Sequence, residues 1–136
     1  MSIIDKRIVS SCFELGDWPL SRVFLKDAVD YPWFILVPRV ENIQELYQLS
    51  GSIRHQLMDE VSALSTKVQD YFKPDKLNVG TLGNIVSQLH CHVVARFSND
   101  KLWPHGVWQA AQTSSTYSVP QRDALLKDWR EIILNF

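Results

Sequence analysis

Polar and apolar residues alternate along several short segments of the chain, and this period of two predicts β-strands. The longest alternation covers residues 87–97, where every second side chain is apolar. Clusters of turn-forming residues separate the other strand-like segments. These shorter predicted strands cover residues 11–16, 22–26, 33–37 and 77–79. The first quarter of the chain therefore predicts an antiparallel meander.

Two longer segments repeat apolar residues every three or four positions, which is the period of an α-helix. The first has its apolar stripe at Ile53, Leu57, Val61, Leu64, Val68 and Phe72. The second follows Pro120, a residue suited to the first turn of a helix, and ends the chain. A short helix over residues 2–9 and a helical turn around residues 43–49 are also expected. This order of elements predicts an α+β fold with an antiparallel sheet, a long central helix and a C-terminal helix, in a single domain covering residues 1–136.

Charge and composition narrow the classes of partner. The formal net charge is -1, from 14 basic and 15 acidic residues, which predicts no surface for long nucleic acids or anionic membranes. Charges at residues 5–7 interrupt any apolar core of a signal peptide, and no run is long enough to span a membrane. We therefore expect a soluble, cytoplasmic protein whose cysteines, Cys12 and Cys91, are reduced and buried. Small nucleotides remain candidate ligands.

The alternating segment 87–97 places Gln88, His90 and His92 on one face of the predicted strand, with steps of about 7 Å. Three interpretations are open. The histidines could be exposed without chemistry, or they could bind zinc or iron, although Cys91 points to the other face and no acidic cluster lies nearby. In the third, a neutral imidazole attacks phosphorus while its second nitrogen is held as a donor, and the neighbouring imidazole assists. The preceding segment 78–84, with two glycines and two asparagines, favours this third interpretation, because such a turn can approach an anion closely.

These segments together resemble the histidine triad family of nucleotide hydrolases and transferases. The family motif, in which three histidines alternate with apolar residues, reads Gln88-Leu89-His90-Cys91-His92-Val93-Val94 here. The pattern Asn78-x-Gly80…Gly83-Asn84 and the segment from Tyr31 to Arg39 also resemble the family. The similarity covers roughly residues 11–108, and it most resembles the small bacterial members described as diadenosine tetraphosphate hydrolase-like.

The resemblance implies a sheet of about five strands, a twofold homodimer, and a reaction at the α-phosphate of a dinucleoside polyphosphate or nucleoside phosphoramidate. It implies no metal or other cofactor. His90 would be the nucleophile that forms a nucleotidyl-histidine, and His92 would hydrogen-bond phosphate oxygens or the departing group. The amide of Asn78 would lie near the phosphate, with Asn84 in the polar turn beside the triad. Asp27 would bind the ribose hydroxyls.

The chain departs from the family pattern at two positions. Gln88 replaces the first histidine of the triad and could orient its neighbours without acting as a general acid. Trp33 stands where members often have another histidine, and we expect it to fill space and remove a polar contact. Trp103 is the aromatic candidate for lining the pocket or a dimer contact, and Arg96 is expected in solvent or at an interface. The departures leave open an alternative function, that of a non-catalytic module that binds purine nucleotides.

Overall fold

A computed structural model describes residues 3–108 and 115–136 of the chain. In this described part, five antiparallel strands form one sheet in the order β1-β2-β3-β5-β4. The strands are β1 (Cys12–Asp17), β2 (Ser21–Lys26), β3 (Trp33–Pro38), β4 (Lys76–Gly80) and β5 (Cys91–Arg96). The helices are α1 (Lys6–Ser11), α2 (Gly51–Phe72) and α3 (Val119–Leu134), and a 3₁₀ turn covers Leu46–Gln48. The α+β fold predicted from the sequence is confirmed.

Helix α2 holds the tight connection between β1 and β2 in place. Glu60 on α2 is fully buried, and its carboxylate accepts hydrogen bonds from the backbone N–H groups of Leu20 and Ser21 at 2.8 and 2.9 Å. Burial of a carboxylate is costly unless donors satisfy it, so these two N–H groups account for a charged residue in the core. The meander and the long helix are thereby joined at one point.

The sheet is covered on both faces. Helices α2 and α3 cover one face, where Phe34 on β3 and Val93 on β5 are fully buried with Trp129 of α3. The opposite face carries a second apolar cluster, closed by Ile4 and Ile8 at the N-terminus and by Val107. This second cluster includes Trp33, Phe24, Ile35, Val37 and Val94. His92 lies on the same face, because it is two positions from Val94 along β5.

The prediction of a strand over residues 87–97 is wrong at its start, since β5 begins at Cys91. The backbone of Leu89 donates to the carbonyl of Ile43, and the side chain of Gln88 bonds to the backbone of Ile3 and Asp5. These partners lie outside the sheet, so residues 87–90 are not part of the strand. The leading helix, predicted over residues 2–9, is found as α1 over Lys6–Ser11. Residue 2 lies outside the described part. No helix among the described residues is both long and apolar enough to cross a membrane.

Candidate active site

His90 immediately precedes β5 and has one ring nitrogen committed to the backbone. Its Nδ1 lies 2.6 Å from the carbonyl oxygen of Gln88. A carbonyl oxygen can only accept, so Nδ1 must donate. A neutral His90 therefore carries its proton on Nδ1 and a free electron pair on Nε2. The residue is only 7% exposed, so packing also restrains the ring.

His92, two residues further along, has the opposite arrangement. The indole Nε1 of Trp33 donates to Nδ1 of His92 at 2.9 Å. Burial is the main cause that lowers the pKa of His92 to about 3, and the electrostatic influence of His90 and Lys26 contributes to this value in the same direction. His92 is therefore neutral near pH 7, with its proton on Nε2. The two histidines present different functions from the same ring position: an electron pair from His90 and an N–H donor from His92.

The rings pack closely around His92. The centroids of His90 and His92 are 4.8 Å apart, and the rings meet edge to face. Trp108 lies 5.3 Å from His92, and Trp33 lies 5.7 Å from it. The strand register explains the contact with Trp33: His92 is opposite Ile35 and Trp33 is opposite Val94, which makes His92 and Trp33 diagonal neighbours on one face. The expectation that Trp33 removes a polar contact is wrong, because its indole supplies one.

The side chain of Gln88 organises the N-terminus and makes no bond to His90. Its Oε1 accepts from the backbone N–H of Asp5 at 2.8 Å, and its Nε2 donates to the carbonyl of Ile3 at 3.0 Å. Gln88 acts on His90 through its main-chain carbonyl instead. A groove of about 620 Å³ adjoins Gln88 on this side, with residues 3–7 and 42–44 in its walls.

Asn78 lies on the same face as His92 and is fixed by a buried ion pair. Its Oδ1 accepts from Nη1 of Arg96 at 2.9 Å. The guanidinium also binds both carboxylate oxygens of Asp100, at 2.8 and 3.0 Å. Burial alone would raise the pKa of Asp100, but hydrogen bonds from Arg96 and from backbone N–H groups bring it down to about 2. Arg96 is 1% exposed, so the expectation of a solvated or interface arginine is wrong. Its partner Asp100 is only four residues further along, in the loop after β5, where the alternation of a strand no longer predicts which side chains meet.

Trp103 is found beside this ion pair. Its ring centroid lies 5.9 Å from the guanidinium carbon of Arg96, and the residue is 37% exposed. Arg96 is four residues along β5 from His92, which corresponds to roughly 13 Å. In the segment that follows β5, the aromatic residue that contacts His92 is Trp108, five positions after Trp103.

Asp27 directly follows β2, and Asn84 lies within the segment that connects β4 to β5. The Oδ1 of Asp27 accepts from the backbone N–H of Tyr117 at 2.9 Å, so this carboxylate holds the segment that leads into α3. Asn84 is exposed and follows Gly83, whose φ of 82° is in the left-handed region that favours glycine. The contact of Asp27 with Tyr117 does not join it to His90 or His92, and no hydrogen bond joins Asn84 to either histidine within the described part of the chain.

Lys26 is a cation near the histidines and was not among the residues predicted for the site. Its Nζ lies 5.1 Å from the centroid of the Trp33 ring, and its charge acts on His92. The signal in the sequence that could have identified Lys26 is its position at the end of β2, directly before the predicted site residue Asp27. In the described ranges, no group of three or more His, Cys, Asp or Glu side chains is arranged to hold a metal ion.

Comparison with known proteins places these features in a family. The family model described as HIT domain matches residues 9–99. A histidine triad protein from Marinobacter aquaeolei VT8 is 35% identical, with a TM-score of 0.94 over 99% of this chain and 98% of that one. A histidine triad protein from Bradyrhizobium japonicum is 33% identical, with a TM-score of 0.91 over 97% of this chain and 98% of that one. One from Sinorhizobium meliloti 1021 is 29% identical, with a TM-score of 0.90 over 99% and 97%. No curated protein matches. The domain match and these identities show that the chain belongs to the histidine triad family.

Proposed function

We propose that this protein is a nucleotide hydrolase or transferase in which Nε2 of His90 attacks the α-phosphorus of a nucleotide derivative. The observation that carries the proposal is the hydrogen bond from Nδ1 of His90 to the carbonyl of Gln88. This bond leaves the electron pair on Nε2 and stabilises the positive charge that the ring acquires on attack. Membership in the histidine triad family supports the same class of reaction.

The reaction proceeds in two displacements. Attack forms the bond between Nε2 of His90 and the α-phosphorus, and breaks the bond from phosphorus to the leaving group. Water then displaces His90 and releases a nucleoside monophosphate, or another acceptor takes the nucleotidyl group. Throughout, the Nε2–H of His92 donates to a phosphoryl oxygen as negative charge builds up there. A neutral imidazole is a weak acid and protonates a leaving group poorly. We therefore favour substrates whose leaving group departs as an anion. These are phosphoanhydrides such as dinucleoside polyphosphates rather than phosphoramidates.

The remaining residues of the site have supporting roles in this proposal. The Oδ1 of Asn78 accepts from Arg96, so the amide nitrogen is the part of Asn78 that would reach the phosphate. Asp27 would bind the ribose with its second carboxylate oxygen, and Asn84 would contact the phosphate from its turn. Trp108, which contacts His92, is better placed than Trp103 to line the nucleotide pocket.

Turnover assays test the proposal. Purified protein is incubated with diadenosine tetraphosphate or adenosine 5′-phosphoramidate, with and without EDTA. We expect hydrolysis that persists in EDTA and falls at least roughly 10³-fold in His90→Asn, whose amide can still donate to the carbonyl of Gln88. His55→Asn, at an exposed position on α2, is the matched control and should keep full activity. Activity that EDTA abolishes would contradict the mechanism.

A purely nucleotide-binding role is the second candidate. The observation that favours it is Gln88, which stands in the place of the first triad histidine and uses its side chain to hold residues 3 and 5. Calorimetric binding of AMP without turnover of either substrate would support this role and overturn the enzymatic proposal.

We also propose that the protein acts as a cytoplasmic homodimer. Strand β4 is at the edge of the sheet, and Val79, Leu82 and Ile85 in and after it are 51%, 42% and 81% exposed. An open strand edge with neighbouring apolar side chains supports pairing with a second copy. Light scattering after size-exclusion chromatography should give twice the mass of the chain, and Ile85→Lys should lower it.

A further inference from the structure

Trp33 contacts His92 through a hydrogen bond whose direction is fixed by chemistry. We propose that Trp33 is a positioning residue that holds His92 in the tautomer with its proton on Nε2. The tautomer follows from the contact itself. The consequence for catalysis rests on the proposed function.

The donor and the acceptor in this pair cannot exchange roles. An indole N–H has no electron pair to offer, so it can only donate. The 2.9 Å separation between Nε1 of Trp33 and Nδ1 of His92 therefore requires an unprotonated Nδ1. In the other neutral tautomer, two N–H groups would face each other inside a site where both residues are at most 9% exposed. A buried donor without an acceptor is unfavourable, so this tautomer is disfavoured in the folded state.

Packing holds the indole in place for this role. Trp33 is opposite Val94 in the sheet, and Trp108 meets its ring edge-on at 87° with the centroids 5.8 Å apart. The ammonium of Lys26 lies over the same ring at 5.1 Å. The indole is therefore restrained on three sides: by Val94 on β5, by Trp108 in the segment after β5, and by Lys26 on β2.

The fixed tautomer makes the two catalytic histidines different from one another. His90 has its electron pair on Nε2 because Nδ1 donates to Gln88. If His92 carried its proton on Nδ1, both Nε2 atoms would present electron pairs, and the second pair would repel the phosphoryl oxygens. Trp33 prevents this by occupying Nδ1 of His92, so that one imidazole attacks and the other donates.

The experiment is ¹⁵N NMR of the histidine rings in the wild-type protein, Trp33→Phe and Trp108→Phe. Phenylalanine keeps an aromatic ring at position 33 but removes the N–H, whereas Trp108→Phe removes an indole that contacts His92 by its ring alone. We expect the Nε2–H pattern for His92 in the wild type and in Trp108→Phe. In Trp33→Phe the ratio of tautomers should shift about fivefold or more towards Nδ1–H, the equivalent of one hydrogen bond. For the same variant, kcat should fall about fivefold while KM changes little.

A second measurement requires no variant. The wild-type protein should show a ¹⁵N–¹⁵N coupling across the hydrogen bond between Nε1 of Trp33 and Nδ1 of His92. Absence of this coupling, or an unchanged tautomer in Trp33→Phe, would overturn the inference. Because neither readout depends on turnover, the tautomer can be confirmed even if His90 proves not to be a nucleophile, and that result would refute only the proposed function.

Discussion

Lowering the pH from 7 to 5 should destabilise the protein through His92. Its pKa of about 3 in the folded protein lies below the ordinary value of 6.5, mainly because the ring is buried. Between these two values the unfolded chain binds a proton that the folded protein does not, so stability falls as the pH drops. Each pH unit below 6.5 costs about 1.4 kcal/mol, so at pH 5 the free energy of unfolding should have lost about 2 kcal/mol through this one residue.

Urea unfolding at pH 7 and pH 5 measures this contribution when the wild type is compared with His92→Asn. The Oδ1 of asparagine can still accept from the indole of Trp33, but the side chain does not titrate. The variant should lose about 2 kcal/mol less than the wild type between the two pH values. His55→Asn removes an exposed histidine and should keep the full pH dependence of the wild type. Equal losses in the wild type and His92→Asn would refute the assignment of a buried, neutral His92.

Three substitutions probe the contacts around the histidines. Asn78→Asp keeps an acceptor for Arg96 but loses the amide donor and adds negative charge, so kcat/KM should fall roughly 10²-fold with stability retained; an unchanged value would remove Asn78 from the site. Arg96→Met leaves the carboxylate of Asp100 buried without its counter-charge, although backbone N–H groups still donate to it, and urea unfolding should show a loss of about 3–5 kcal/mol; a loss below about 1 kcal/mol would contradict the burial of this pair. Gln88→Ala removes the acceptor of the Asp5 N–H, so hydrogen exchange at that amide should accelerate while the ring signals of His90 keep their tautomer, and slow exchange would show that Gln88 does not hold the N-terminus.

The fold could be predicted from the sequence because the local patterns of apolar residues agree with the tertiary structure. Predicted strands at 22–26 and 33–37 correspond to β2 and β3, and the apolar stripe from Ile53 to Phe72 is the helix α2. Membership in the histidine triad family, inferred from the alternating histidines, is confirmed by the domain match and the structural relatives. Assignment to the diadenosine tetraphosphate hydrolase-like members remains a prediction.

The contacts within the site could not be predicted in the same way, because they depend on pairing between distant segments. Trp33 and His92 are 59 positions apart and meet only through the register between β3 and β5. Alternation identified the face of each residue but gave no partner for Arg96, which was expected in solvent or at an interface; its partner Asp100 is close in sequence but lies in a loop, where alternation makes no prediction. The side chain of Gln88 is directed to the backbone of the N-terminal segment, and that segment carries no motif that signals this contact.

The most direct test is to locate the covalent intermediate. The protein is mixed with diadenosine tetraphosphate, quenched within the first turnover under conditions that preserve phosphoramidate bonds, digested, and analysed by fragment-ion mass spectrometry. We expect an adenylyl group on the peptide that contains His90, with the modification on that ring, and none in His90→Asn. Turnover without any adduct on His90, or an adduct on His92 instead, would refute the assignment of His90 as the nucleophile.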